Sequence, residues 1–252
     1  MQTDFHRGLP RSQACTNEDV LVALLLAVPV LSASGQGPTG APASGPTIDD
    51  LISLKRAGAP AISADGKWVA CTVRETSRRI ATIPASGGRI ENVSADFDED
   101  PSIVRWTSSG IFFSASSHTW SYLFSLDPAT KKVTKDAPAE KWIGSSFSVS
   151  ANVQTVAFIA SDAATFPEVY VAPVKTMQPK KLSDLGGQAA SWMKAPIEVI
   201  PWPSRDGATI EGVLHKPVGF EQGKGYPLLV VVHGGPTGVS RPSRWAQASP
   251  IG

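Results

Sequence analysis

Short apolar stretches broken by Gly, Pro, Asn, Asp and Ser run from Ala59 to Gln188, a pattern that predicts strands joined by tight turns. One pattern returns. Ile62-Ser63-Ala64-Asp65-Gly66-Lys67-Trp68-Val69-Ala70 is echoed by Trp106-Thr107-Ser108-Ser109-Gly110-Ile111-Phe112-Phe113 and again by Val149-Ser150-Ala151-Asn152-Val153-Gln154-Thr155-Val156-Ala157. Asp65-Gly66 supplies the left-handed backbone of a hairpin turn, and Asn152 does so less well beside Val153.

Each echo is followed by a second hairpin. Ile80 to Ile83 turns at Ala85-Ser86-Gly87-Gly88, Leu123 to Leu126 at Asp127-Pro128-Ala129-Thr130, and Val169 to Val171 between Pro173 and Pro179. Two hairpins per period make four strands, and a period of about 43 to 44 residues is that of one propeller blade. A β-sandwich also supplies hairpins but does not demand the longer repeat. The expected fold is therefore mainly β, a partial β-propeller of about three WD40-like four-stranded blades. Closed propellers usually have about four to eight blades, so several are expected to be missing.

Downstream, Glu198 to Trp202 and Ile210 to His215 read as a strand pair turned at Ser204-Arg205-Asp206-Gly207. Leu228-Leu229-Val230-Val231-Val232 follows Pro227 without alternation, which predicts a strand buried on both faces, with Val230 to His233 the next strand of the same sheet. His233-Gly234-Gly235-Pro236 comes directly after it. This resembles the arrangement by which serine hydrolases of the α/β type leave backbone N–H groups bare and turned toward a developing oxyanion, glycine being needed because a Cβ would block the approach of a carbonyl.

Before the repeats, Val20 to Leu31 is apolar apart from Pro29, with Arg7 and Arg11 ahead of it and Ser32-Ala33-Ser34-Gly35 behind. About a dozen apolar residues are too few to span a bilayer, and suit a signal-peptide core better than a short buried helix. Glu18 and Asp19 beside it are unusual for such a core and point to a start codon placed too far upstream. Residues 1–34 are read as a signal peptide and 35–46, rich in Gly, Pro, Ala and Ser, as a linker. No cysteine ends the apolar run, so no stable membrane anchor is expected, and the chain is expected to be exported to the periplasm or outside the cell. Thr47 to Arg56 carries a cap candidate, early acids and late bases, the signals of a helix.

Asp206-Gly207-Ala208-Thr209-Ile210-Glu211-Gly212-Val213-Leu214-His215-Lys216-Pro217, then Gly223-Lys224-Gly225-Tyr226-Pro227 and His233-Gly234-Gly235-Pro236, resembles the opening of the hydrolase domain in the prolyl oligopeptidase family of serine peptidases, in its acylaminoacyl-peptidase and dipeptidyl-peptidase-like branch. The resemblance implies a propeller at 47–190 and, at 191–252, the N-terminal part of an α/β-hydrolase domain. It implies hydrolysis of short peptides through an acyl-enzyme, with Gly235 and Gly234 as the oxyanion-hole residues. Such domains carry their nucleophile on a G-x-S-x-G elbow and draw Ser, Asp and His from beyond the oxyanion strand. No G-x-S-x-G occurs in these 252 residues, the nearest string being Gly238-Val239-Ser240-Arg241-Pro242. No catalytic residue is assigned, His233 belongs to the oxyanion turn, and the chain is read as truncated and inactive alone. The alternative is a secreted, non-catalytic propeller fragment that binds peptides or a partner protein.

A formal net charge of +1 gives no argument for nucleic acid. Of the two cysteines, Cys15 precedes the expected cleavage and Cys71 is left as a buried free thiol. His118 and His215 have no partners at ligand spacing, no Gly-rich phosphate loop is found, and no metal or other cofactor is implied. Acids on the propeller side hold the free amino terminus of the substrate in the dipeptidyl branch, but Asp96-Phe97-Asp98-Glu99-Asp100 matches no specific motif and reads better as a solvated loop between blades. Trp68, Trp106, Trp120 and Trp142 are expected to pack between blades.

Overall fold

The computed structural model describes residues 49, 53–74, 77–138, 141–234 and 238–243, all in the unit Pro46–Gly252. The expected signal peptide and linker lie outside the described residues. Asp49 and Ser53 are helical, as the cap signals at Thr47 to Arg56 imply, but Arg56 is not. It belongs to β1 (Arg56–Ala57), which pairs with the end of β3 (Trp68–Arg74), while β2 (Ala61–Ile62) pairs with its beginning. The edge of β3 is longer than β2 can cover, and its remaining backbone groups recruit β1. Gly58 makes the crossing between them: its N–H donates to the Thr72 carbonyl at 2.7 Å, and a Cβ there would stand 2.2 Å from Thr72 Oγ1.

The repeats become three four-stranded meanders among the described residues. The first is β2-β3-β4-β5, with β4 at Arg78–Pro84 and β5 at Glu91–Asn92. The second comprises β6 (Ser102–Thr107), β7 (Gly110–Ser117), β8 (Trp120–Asp127) and β9 (Lys132–Asp136). The third comprises β10 (Ile143–Val149), β11 (Thr155–Ser161), β12 (Glu168–Pro173) and β13 (Lys180–Lys181). Strands within each blade are antiparallel, and one parallel pairing, Ile143 with Ser121, ties the third blade to the second.

The period-2 alternation of β7 and β8 explains why the second blade is buried on both faces. Ile111, Phe113, Tyr122, Phe124 and Leu126 point into a core shared with Ala70, Ile80 and Val93 of the first blade. Phe112 and Leu123 point the other way, into a core with Val149, Val156 and Phe158 of the third. Aromatic packing closes the first of these cores, where Phe97 meets Phe113 and Phe124 edge-on at 5.1 Å each. Trp120 is buried, and Trp106 and Trp142 are half-buried against the two cores. Trp68 departs from its expected packing: it is 42% exposed, at the start of β3 where it lines a cleft rather than a core.

β14 (Ile197–Pro203) and β15 (Thr209–His215) pair along their whole length, from Ile197 opposite His215 to Pro203 opposite Thr209. The expected next strand does not form among the described residues: residues 224–233 join no sheet there, and Leu228 to Val232 are 70–85% exposed rather than buried on both faces. A central strand takes its backbone hydrogen bonds from strands on both sides. None among the described residues reaches this segment, so apolar sequence alone does not make it a strand.

Candidate functional site

The turn expected to supply the oxyanion donors begins at His233 and Gly234, both exposed, while Gly235 lies outside the described residues. The chain comes back against the turn at Gly238, where a Cβ would stand 2.3 Å from the Gly234 carbonyl oxygen and 2.7 Å from His233 Nδ1. Only a residue without a side chain allows that return. The Gly234 N–H makes no hydrogen bond among the described residues, so it is free to donate. Such a donor stabilises charge strongly only when water is excluded around it, and the exposure of Leu228 to Val232 leaves that condition unmet.

β15 reaches the propeller through Glu211. Its Oε2 accepts hydrogen bonds from the Thr119 N–H at 3.2 Å and the Thr119 hydroxyl at 2.9 Å. Thr119 sits in the turn between β7 and β8. On the preceding strand, Ser116 Oγ accepts a bond of 3.0 Å from Arg241 Nη2. The other terminal nitrogen of that guanidinium is buried without a partner among the described residues, and burial pulls the group below its ordinary pKa. Neither contact was visible in the sequence, since the pairs lie 92 and 125 residues apart. The Glu211 contact has a partial signal in the D-G-x-x-I-E-G string that contains it.

The acidic loop Asp96 to Asp100 is more than a solvated surface. Asp100 Oδ1 accepts from the Arg78 N–H at 2.9 Å, and its Oδ2 lies 3.4 Å from Arg74 Nη2. Burial pushes the Glu99 carboxyl above its ordinary pKa, His118 opposes this, and Asp98 and Asp100 add to the rise. His118, with its left-handed backbone at φ 56°, thus has a carboxylate neighbour that spacing could not reveal. No group of three or more His, Cys, Asp or Glu residues among the described residues is arranged to hold a metal ion. His215 ends β15. Cys71, half-buried in β3, is a free thiol whose pKa burial raises. No helix among the described residues is long and apolar enough to cross a membrane.

No family model matches the chain. Among curated proteins it is similar to dipeptidyl-peptidase 5 of Trichophyton equinum, with 25% identity over 191 residues, covering 71% of this chain. The chain spans about a quarter, 26%, of the length of that relative. Among solved structures it is similar to Porphyromonas gingivalis dipeptidyl peptidase 4, at TM-score 0.52 and 19% identity, covering 67% of this chain and 25% of that one. It is also similar to the AtxE2 isopeptidase bound to Astexin3-dC4, at TM-score 0.53 and 12% identity, covering 79% and 32%. At these identities the structural likenesses speak for the bladed fold alone. Together, the sequence likeness and the blades at 61–181 make this chain similar to dipeptidyl peptidases over about a quarter of their length.

Proposed function

We propose that this chain supplies the propeller and the oxyanion side of an exported serine peptidase that releases short fragments from peptides. The observation that carries this reading is the 25% identity to dipeptidyl-peptidase 5 over 191 residues. The D-G-x-x-I-E-G and H-G-G-P strings support it, since they begin a hydrolase domain in that family. The backbone N–H groups of Gly234 and Gly235 would donate to the carbonyl oxygen as it becomes negative during acyl transfer. The Thr119–Glu211 contact would hold the first hydrolase strands against the propeller, which would restrict access to peptides of small cross-section. Export follows from the apolar segment Val20 to Leu31 and the small residues after it.

The 252 residues contain no G-x-S-x-G nucleophile elbow, and the oxyanion hole alone retains only a small residue of the full acceleration. The 252-residue polypeptide by itself is therefore inactive on this reading. Two measurements test it. The purified polypeptide should take no fluorophosphonate label; a label lost on Ser240→Ala would assign the nucleophile here and overturn the inactivity. Immunodepletion of the exported fraction of the source organism, with antibody to residues 53–234, should remove a fluorophosphonate-reactive activity that releases dipeptides. Depletion that removes the antigen but no such activity would sink the peptidase reading.

A further inference from the structure

A cleft of about 490 Å³ opens between the first and second blades, a size typical of small-ligand sites. Its walls are the β2–β3 turn with Asp65 and Trp68, Glu91 of β5, and Trp106 at the end of β6. The cleft lies at the Gly110 end of β7, whereas Thr119 and its Glu211 contact lie beyond the other end. None of Thr119, Glu211, His233 or Gly234 lines it.

Its chemistry is one-sided. Two indoles and two carboxylates line it, and no basic side chain among the described residues does. Glu91 is engaged by Lys131, whose Nζ lies 2.8 Å from Glu91 Oε1 across the two blades. Asp65 is committed through one oxygen only: Oδ1 accepts from the Ser63 hydroxyl at 2.6 Å and from the Lys67 N–H at 3.1 Å. Its second oxygen has no side-chain partner among the described residues, and Lys67, the cation that acts on it through space, is exposed and makes no ion pair with it among those residues. The Ser63 hydroxyl and the Lys67 N–H hold the carboxyl below its ordinary pKa, so it is anionic at neutral pH. An exposed indole beside a fixed carboxylate attracts a cation by two routes at once, the face of the ring and the charge.

We propose that this cleft is a binding site for a cationic side chain, guanidinium or ammonium, carried by a peptide or an unfolded protein segment. Trp68 and Trp106 supply the ring faces and Asp65 Oδ2 the counter-charge, while the exposed Glu91–Lys131 pair spans the two blades beside them.

The test uses the whole chain and two uncharged-end tripeptides, acetyl-Gly-Arg-Gly-amide and its citrulline isostere, in calorimetric titrations with indole fluorescence as a second readout. The arginine peptide should bind at low salt, weaken as salt rises, and bind about tenfold more tightly than the citrulline peptide. Asp65→Asn is a safe probe of charge, because Asn152 makes the same turn bonds at the equivalent place in the third blade. That variant and Trp68→Leu should each weaken binding about fivefold. Equal affinity for the citrulline peptide, no binding of the arginine peptide, or preference for a neutral disaccharide would overturn the proposal. So would unchanged affinity in both variants. None of these outcomes bears on peptidase activity, which is read by the fluorophosphonate label.

Discussion

Gly66 and Val153 occupy the same corner of two blades and take the same left-handed backbone, with φ of 72° and 57°. The bonds around them match as well: Gly66 N–H donates to the Ser63 carbonyl and Val153 N–H to that of Ser150, both at 3.0 Å. Nothing lies within 4 Å of a Cβ placed on Gly66, so Gly66→Ala reads backbone strain alone and should cost about 1 kcal/mol in thermal or urea unfolding. Gly110 tests a different cause. It has φ 122°, and its Cβ would stand 2.5 Å from the Leu126 carbonyl oxygen, so Gly110→Ala adds a clash between strands. That change should cost about 3 kcal/mol or more; equal losses at the two sites would show that the clash is relieved cheaply. Glu168 is a third such residue, 4% exposed. Burial pushes its carboxyl up, but the Ser183 hydroxyl and the N–H groups of Gly186 and Leu185 outweigh this and hold it below its ordinary 4.5. A depressed carboxyl stabilises the fold above the unfolded value and loses that contribution as pH falls through the folded one. Glu168→Gln should therefore cost about 1.5–3 kcal/mol at neutral pH, where two backbone N–H bonds of 2.9 and 2.7 Å lose their charged acceptor. The deficit relative to the parent chain should shrink on acidification below pH 4.5. A deficit independent of pH would refute the charge-based account.

At the scale of elements, what the sequence made legible was local. Turn chemistry at Asp65-Gly66, Ser108-Ser109 and Asn152 marked the first hairpin of each blade, and Asp127 and the Pro173–Pro179 stretch marked two of the second, because a turn is decided within a few residues. What the sequence hid depends on distant partners. The run Leu228 to Val232 has the composition of a central strand, yet strand formation needs neighbours that no composition can guarantee. Arg56 carries the charge pattern of a helix end but pairs with Arg74 because β3 had backbone to satisfy. The candidate site divides the same way. Gly234 is singled out by H-G-G-P alone, while the Thr119–Glu211 contact required the fold to bring β15 to the β7–β8 turn. That contact carries its own prediction. The hydroxyl bond to that carboxylate is worth about 1.5–3 kcal/mol in a partly buried setting, so Thr119→Ala, which removes it and keeps the backbone N–H bond, should loosen β14–β15 without unfolding the blades. Hydrogen exchange should then rise in 197–215 and stay unchanged in 110–127; a rise across both would mean the two parts unfold together.

For the molecule as a whole, the balance between burial and exposure decides how it behaves in solution. The second blade is covered on both faces, but the third shows Ile159 and Val169, cross-strand partners, at 36% and 37% exposure. Leu228 to Val232 adds five large apolar side chains at 70–85% with no hydrogen bond to their backbone among the described residues. Burying one such side chain fully returns about 1.5–3 kcal/mol. Ordering a residue costs about 1–2 kcal/mol, so pairing of this run with a second copy is favourable once its backbone bonds form as well. A β-branched, uncharged run without proline is also the kind that templates strand addition. The chain should therefore associate as its concentration rises, with a gain in strand content. Val230→Lys together with Val232→Lys should suppress the association, since these alternate positions share one face of any strand formed and like charges would meet across a symmetric pair. Sedimentation velocity over a wide concentration range reads the outcome. A parent chain that stays monomeric throughout, or a double variant that associates as readily, would show that the exposed run is not the contact.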